Sequence, residues 1–405
     1  MLGLYIHVPF CQKRCFYCSF YSTTCGKRER DAYVEALREE MRVRAEIIRN
    51  APVGVWGKLP DTSEELPELS TIYFGGGTPS QLDDEELQDV FSAIKEHFCI
   101  SPGAEITFEC NPDDLAPTQS SHTLARQLHA LGVNRISMGV QSFDDSILRG
   151  INRRHTSQQV FEAIRSVHEA GIHNISIDLI YGLPGQSLEA WKRDVKQAVS
   201  LAQSIIEGHH GVTHISSYAL SIEPSTPLYY MRARGEVDEV DDELSLMMYN
   251  YLVDTLCNAG FDHYEISNFA LPGYPSRHNS SYWRQVPYLG LGPGACSYDG
   301  IKTRFNNRHS LQDYLNMPEE VYDVEHLSDD ERYDELLMTR LRTREGLPLC
   351  LLKESEKRFL LRAARPYIES GHLLLEVIDT DAATLRLTRD GIFISDAIFA
   401  DLMSE

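Results

Sequence analysis

The chain has 405 residues, of which 60 are acidic and 38 basic, so its formal net charge is −22. Such a charge leaves no basic surface for nucleic acid and allows at most peripheral association with an anionic membrane. No run of about 18 apolar residues is present, so the sequence predicts no membrane-spanning helix. The short apolar run at Leu2–Val8 lacks a charged segment before it. It therefore indicates a cytoplasmic protein, or one of an organellar stroma or matrix if a transit peptide was removed.

Strand-like and helix-like segments alternate from residue 3 to about residue 260. Short apolar runs predict six strands, at Gly3–Val8, Thr71–Phe74, Glu105–Cys110, Arg135–Val140, Asn174–Ile180 and His214–Leu220. Their composition is typical of strands buried on both faces. Apolar residues at three- and four-residue steps predict helices over 29–49, 83–98, 119–131, 157–170, 187–206 and 243–259. Six βα units imply an α/β fold with a parallel sheet, in which ligands bind at the carboxyl ends of the strands.

The pattern changes past residue 300. Residues 347–405 combine short helices with strand-like runs at Leu373–Val377 and Thr384–Thr388. This order predicts a small C-terminal α+β unit of winged-helix type. We therefore expect two domains, at residues 1–305 and 306–405.

Three of the nine cysteines follow the first strand within eight residues, as Cys11, Cys15 and Cys18, and the other six are scattered. This is not a disulfide framework and indicates a reducing compartment. The spacing C-x3-C-x2-C has three interpretations. It is a buried helical stripe, or a zinc site with Cys25 or His7 as fourth ligand, or a [4Fe–4S] cluster that leaves one iron open for a chelating cosubstrate. Structural zinc sites usually pair their ligands as C-x2-C, so the cluster is favoured.

The same spacing, with the aromatic Tyr17 directly before the third cysteine, resembles the radical S-adenosylmethionine (SAM) superfamily. The resemblance implies a partial (βα)6 barrel in which Cys11, Cys15 and Cys18 hold the cluster. It also implies that SAM chelates the open iron through its methionine amino and carboxylate groups. An electron donor would reduce the cluster, and one electron would then cleave a C–S bond to give a 5′-deoxyadenosyl radical.

Polar or flexible residues end the next strands. Gly75–Gly77 removes every Cβ from one strand end, which suits either close approach to a ligand or a tight turn. Glu109, Gln141 and Asp178 each stand alone among apolar neighbours at corresponding ends. A buried carboxylate without a partner is costly, so these residues are either paired structurally or face a polar ligand. Arg153 offers a fork for a carboxylate or belongs to a surface ion pair.

Five segments together narrow the family. YIHVPFC from Tyr5, GGGTPS, GVQSF, DLIYGLPGQ and the pair Tyr264-Glu265 resemble the oxygen-independent coproporphyrinogen III oxidase group, from residue 3 to about 300. The resemblance implies a set of SAM contacts, to which Cys296 is a further candidate. They are Tyr5, Tyr17, Gly76, Gly77, Thr78, Glu109, Gln141, Arg153, Asp178 and Ala219.

Two features separate branches of this group. The oxidase carries a fourth cysteine two residues after the third, where this chain has Phe20, and it carries an N-terminal extension that is missing here. C-x3-C-x2-C-x-F and HNxxYW, present at 278–283, resemble the HemW branch of haem chaperones. This branch implies a protein that binds haem and passes it to an acceptor haemoprotein, and a homodimer. The alternative is an oxidase that converts two porphyrin propionates to vinyl groups; the scaffold is able to cleave SAM, but coproporphyrinogen turnover is not expected.

His278 has two interpretations. It is an axial ligand of haem iron, with Tyr282 and Trp283 offering flat apolar surface to the porphyrin, or it is a structural histidine. His7 is a weaker candidate ligand, because it sits beside the cysteine loop and has a ready hydrogen-bonding role there.

Overall fold

The computed structural model describes residues 2–57, 66–116, 121–316, 322–377 and 383–404. Its strands, in chain order, are β1 (Leu2–Val8), β2 (Glu68–Gly76), β3 (Cys99–Cys110), β4 (Arg135–Gln141), β5 (Asn174–Tyr181), β6 (Ile205–Ile206), β7 (His209–His210), β8 (His214–Ala219), β9 (Asp262–Glu265), β10 (Asn268–Ala270), β11 (Tyr288–Leu291), β12 (Cys296–Tyr298), β13 (Thr303–Asn307), β14 (Tyr322–His326), β15 (Leu347–Pro348), β16 (Leu373–Val377) and β17 (Ala383–Leu387).

The helices, in chain order, are α1 (Lys27–Asn50), α2 (Asp84–His97), α3 (Pro112–Leu115), α4 (Ser121–Leu131), α5 (Asp145–Gly150), α6 (Ser157–Glu169), α7 (Leu188–Gln203), α8 (Pro227–Ala233), α9 (Asp242–Asn258), α10 (Arg277–Trp283), α11 (Leu311–Asn316), α12 (Asp329–Leu341), α13 (Glu354–Glu369), α14 (Arg389–Phe393) and α15 (Ser395–Leu402). Within the described ranges, none of these helices combines the length and the apolar character needed to cross a membrane.

Twelve of the described strands form one sheet, in the order β14-β13-β12-β11-β1-β2-β3-β4-β5-β8-β10-β9. The six predicted strands are β1, β2, β3, β4, β5 and β8, which lie side by side and parallel. β11 adds a further parallel strand on the other side of β1, and the strands beyond it are antiparallel. The predicted α/β fold with a parallel sheet is therefore confirmed.

The two faces of the parallel strands differ in chemistry. In β4, Ile136, Met138 and Val140 are fully buried against the helices. The alternate residues Ser137 and Gln141 line a cavity on the other face, because successive side chains of a strand point to opposite faces. Both faces are buried, as predicted, but the inner face is polar rather than apolar.

The first turns of α1 and α2 are tied together beside the ends of β1 and β2. Asp83 Oδ1 accepts a hydrogen bond from Glu86 N at 3.1 Å, and Glu86 Oε2 accepts one from Asp83 N at 2.6 Å. This reciprocal cap satisfies two free amide groups of the helix. Glu86 also pairs with Arg30 of α1 at 3.2 Å, so the cap braces the neighbouring helix.

A second hydrophobic core forms in the C-terminal part, from Tyr333 to Leu402. It packs α12, α13 and α15 around the small sheet β15-β17-β16. The large sheet itself continues to His326 through β13 and β14. The division at residue 305 and the winged-helix type of the C-terminal unit stay predictions.

Candidate functional site

A cavity of about 440 Å³ opens at the carboxyl ends of the parallel strands. Most of the residues proposed as cofactor contacts line it together, although they come from segments far apart in the chain. They are Cys11, Cys15, Tyr17, Cys18, Gly76, Gly77, Thr78, Glu109, Gln141, Arg153, Asp178 and Ala219. We call this space the cluster cavity. Tyr5, His278 and Cys296 do not line it.

The cysteine loop, residues 11–18, is held by backbone hydrogen bonds rather than by helix formation. Cys11 N donates to Thr23 O at 2.9 Å, and Phe16 N donates to Ile151 O at 3.1 Å. The loop contains no helix, so the interpretation as a buried helical stripe is wrong. All three thiols are free and partly exposed to the cavity.

The three thiols are the donors that a [4Fe–4S] cluster requires. In the described part of the chain, no three His, Cys, Asp or Glu side chains converge as ligands of one ion. Zinc needs its ligands about 2.0–2.3 Å from one point, whereas each thiolate of a [4Fe–4S] cluster binds a separate iron. The fourth ligand proposed for zinc is also missing from the cavity wall, since neither His7 nor Cys25 lines it. The thiol donors therefore fit a [4Fe–4S] cluster.

The glycines after β2 allow close contact with the cysteine loop. A Cβ on Gly77 would stand 2.8 Å from Phe10 O and 2.9 Å from Val8 O. Gly76 has a φ of +106°, and a Cβ there would stand 2.6 Å from the His7 ring. A side chain at Gly76 would therefore meet His7 rather than project into the cavity. The glycines thus permit this end of β2 to lie directly against β1 and the start of the cysteine loop.

Arg153 joins the cysteine loop to the ends of β3 and β4. Its Nη1 donates to Cys15 Sγ at 3.4 Å and its Nη2 to Asn111 Oδ1 at 2.8 Å, with a further bond to Gly139 O. Among the described residues Arg153 forms no ion pair, and its hydrogen bonds are made inside the cavity wall, so the surface-ion-pair alternative is wrong. A guanidinium beside Cys15 stabilises negative charge on the thiolate.

Two acids face the cavity from neighbouring strands. Burial raises the pKa of Glu109 to about 7, although Tyr73 Oη donates to Glu109 Oε1 at 2.7 Å and favours the ionised form. Burial likewise raises the pKa of Asp178 to about 6, against the opposing effect of Arg135. A cationic ligand in the cavity would favour the ionised form of both side chains. A ligand that has an ammonium and a sulfonium group carries such positive charge.

Several polar residues of the cavity wall were not predicted from the sequence. Arg135 is 1% exposed and its Nε has no hydrogen-bond partner among the described residues. Asn279 and Tyr218 also line the cavity. Arg135 is the first residue of β4 and the one charged residue in that strand. Its position there is the one signal in the sequence that could have indicated a role in the cavity.

Tyr5 and Cys296 line a second cavity instead, of about 520 Å³. This space lies between residues 19–21, which follow the cysteine loop, the end of α10, and α12 of the C-terminal part. Seven Phe, Tyr and Trp side chains form its wall, so we call it the aromatic cavity: they are Tyr5, Phe20, Tyr21, Tyr282, Trp283, Tyr288 and Tyr298. Ser19 and Phe20 line both cavities.

His278 lines neither cavity. It is 1% exposed, with Nδ1 2.8 Å from Thr71 Oγ1 and Nε2 2.8 Å from Tyr282 Oη. Its ring also stacks on Tyr73, and burial lowers its pKa to about 3, so the imidazole is neutral. Both ring nitrogens are occupied, and the geometry therefore favours the structural interpretation over axial ligation of haem.

The family model for the radical SAM superfamily matches residues 5–198 of the chain. The coproporphyrinogen III oxidase HemN from Escherichia coli has a similar structure, with a TM-score of 0.78 over 100% of this chain and 90% of that one. The two are 22% identical, so this likeness concerns the fold. Fold and site together define an α/β protein of the radical SAM class.

Relatives that match over the full length are more similar to this chain in sequence than HemN is. The chain is 33% identical to the heme chaperone HemW of Lactococcus lactis, over 98% of this chain and 95% of that protein. It is 31% identical to the heme chaperone HemW of Bacillus subtilis, over the whole of both chains. The chain belongs to the HemW branch of the radical SAM superfamily.

Proposed function

We propose that this protein is a haem chaperone that binds haem and delivers it to an acceptor haemoprotein. The observation that carries the proposal is the full-length similarity to proteins named heme chaperone HemW, which extends through the C-terminal part. A [4Fe–4S] cluster on Cys11, Cys15 and Cys18, with SAM bound in the cluster cavity, completes the scaffold. We place the protein in the cytoplasm and expect an electron donor for the cluster and a homodimer.

In this proposal the chain's own residues divide the work in the cluster cavity. The three cysteines hold the cluster, which supplies one-electron chemistry on SAM when both are bound. Arg153 stabilises the Cys15 thiolate from beside the loop. Glu109 and Asp178 provide negative charge on the opposite wall for the cationic groups of SAM.

The side chain at position 20 argues against the oxidase alternative. Phe20 is 67% exposed and lines both cavities at their junction. An aromatic side chain replaces the thiol that resemblance to the oxidase requires at this position. The Phe20 side chain supplies neither a fourth sulfur ligand nor a proton donor at the boundary between the two cavities.

Haem titration and enzyme turnover on the same preparation test the proposal. The protein, reconstituted anaerobically with its cluster, should bind haem and transfer it to an apo-haemoprotein. It should not convert coproporphyrinogen III when SAM and a reductant are present, while an established oxidase does so in parallel. Porphyrin decarboxylation at a rate typical of enzymes, with no haem binding, would contradict the chaperone function and support the oxidase.

Phe20→Cys is a matched variant for the same assay. It restores the missing thiol without changing the rest of the wall. We expect it to bind haem as the unmodified protein does and to remain without oxidase activity, since substrate recognition involves more than one residue. Oxidase activity in this variant would mean that the scaffold already holds a porphyrinogen site.

A further inference from the structure

The aromatic cavity has the size and chemistry of a site for a large, flat, apolar ligand. Its volume of about 520 Å³ lies within the usual range of about 300–1,000 Å³ for ligand sites. Aromatic rings offer apolar faces against which a macrocycle can pack. The wall also contains the guanidinium of Arg304, whose Nε lies 2.7 Å from Glu335 Oε1. This cation can also attract a carboxylate of the ligand.

One histidine of this wall is free to bind a metal. His309 lies in the loop after β13, is exposed and contacts the edge of Tyr21 at 5.7 Å between ring centroids. Within the described ranges, neither of its ring nitrogens has a hydrogen-bond partner. An unpartnered imidazole at the wall of an aromatic cavity is a suitable axial ligand for haem iron.

The other histidines near the cavity are already engaged. His7 Nδ1 lies 3.1 Å from Tyr5 Oη, and His7 Nε2 lies 3.0 Å from Tyr21 O. His278 is held by Thr71 and Tyr282 and stands outside the cavity. Ligation by either of them would break a hydrogen bond inside the fold, whereas ligation by His309 breaks none.

A buried donor at the wall gives independent support. Trp283 Nε1 is shielded from solvent and has no hydrogen-bond partner among the described residues. Buried polar groups are nearly always paired, so an orphaned donor points to a group that the protein alone does not supply. Trp283 lines the aromatic cavity, and a ligand with an acceptor oxygen would satisfy Nε1 once the indole turns toward it.

We propose that haem binds in the aromatic cavity with His309 as an axial ligand of its iron. This inference rests on the proposed function and names its binding site. The haem would lie next to the cysteine loop, because Ser19 and Phe20 separate the two cavities. Tyr21 continues this segment and accepts a hydrogen bond from Leu311 N at 2.8 Å, so the loop and the segment that carries His309 are linked.

Haem difference spectra of cluster-loaded protein and its variants test the site. His309→Ala should displace the Soret band and weaken haem binding by about 10- to 100-fold, the loss typical of disturbing a metal ligand's environment. Free imidazole should restore the band in this variant, because it replaces the missing ligand in a cavity that is otherwise intact. His326→Ala is the matched control, since His326 is exposed on β14 and does not line the cavity.

A second variant tests the cavity independently of the ligand. Thr339 lies on α12 at the cavity wall, and Thr339→Trp would fill space there, so it should reduce haem binding while cluster content stays unchanged. If the unmodified protein fails to bind haem, the proposed function itself is wrong. If it binds haem but His309→Ala and His326→Ala both bind with unchanged spectra, or if only His278→Ala displaces the Soret band, the site proposed here is wrong while the function stands.

Discussion

The nine cysteines lie in different surroundings. Cys11, Cys15 and Cys18 share one cavity wall beside the guanidinium of Arg153. Cys99 is exposed at the start of β3, at the far end of that strand from the cavity. The nine residues are of one type, and position alone brings three of them to one cavity wall.

Replacing Cys15 with alanine should abolish the visible absorbance of the iron–sulfur cluster after anaerobic reconstitution, because a thiolate ligand is lost. Cys99→Ala is the control and should keep full iron and sulfide content. The measurement is iron and sulfide per chain together with the visible spectrum. Full cluster content in Cys15→Ala would remove the assignment of the cysteine loop as a metal site.

The buried acid Glu109 makes stability depend on pH. Its pKa is raised from 4.5 to about 7, so the folded state holds a proton that the unfolded state loses in this window. The free energy of unfolding should therefore fall as pH rises from about 4.5 to 7 in protein without cluster or SAM. Chemical denaturation at several pH values measures the slope.

Glu109→Gln is the matched variant, because it keeps the shape and removes the titration. Relative to the unmodified protein, it should gain about 1–3 kcal/mol between pH 5 and pH 7.5, since one pKa unit corresponds to about 1.4 kcal/mol. Parallel pH profiles for the two proteins would mean that Glu109 is already ionised in the empty cavity.

At the level of elements, periodicity and strand composition predicted the parallel sheet well. Each of the six predicted strands corresponds to an observed one, because short apolar runs that alternate with amphipathic helices determine βα units. β11 was missed, since Tyr288–Leu291 has four residues and follows a proline. The polar inner face was missed as well, because alternation of polar residues is weak wherever both faces are buried.

The glycine segment after β2 gives a prediction at this scale. Gly77→Ala places a Cβ within 2.9 Å of the backbone of the segment from Val8 to Phe10, so β2 or the cysteine loop must shift. Overpacking costs about 1–3 kcal/mol, which corresponds to roughly 5- to 150-fold in SAM affinity if the shift reaches the site. Equilibrium binding of SAM to the cluster-loaded protein measures the effect.

Gly150→Ala is the control for this substitution. Gly150 ends α5, and no atom lies within 4 Å of the position of its Cβ. SAM affinity should be unchanged in this variant. Equal affinity in both variants would mean that the glycine segment is only a turn.

For the whole molecule, sequence motifs identified most of the cluster cavity, but of the aromatic cavity they identified only Tyr282 and Trp283 as a surface for a porphyrin. The cluster cavity is built from strand ends, and parallel strands bring their carboxyl ends together at one edge. The aromatic cavity joins Tyr5, Tyr288 and Glu335, which belong to no common repeat or motif. Only tertiary packing brings them together, and it also places His278 outside both cavities.

The contact between the C-terminal part and the large sheet can be tested through Arg342. Its guanidinium lies over the ring of Trp283 at 4.4 Å and pairs with the buried Glu265 at 3.4 Å. Arg342→Ala leaves that carboxylate without its cation and should cost about 1–3 kcal/mol of unfolding free energy. Arg365→Ala, which breaks the exposed pair with Glu369, should change stability by about 1 kcal/mol or less. Equal effects in chemical denaturation would show that the Arg342 contact adds nothing.

The position of β1 in the sheet has a consequence for how the protein is made. β1 is made long before β11, yet the two strands pair, and β11 is complete only at Leu291. For most of synthesis the nascent chain therefore carries an open strand edge, of the kind that templates pairing with other chains. The aromatic cavity closes later still, when α12 brings Glu335 and Thr339 to its wall. The proposed haem site is therefore expected to form only after α12 has been made and has packed against the large sheet.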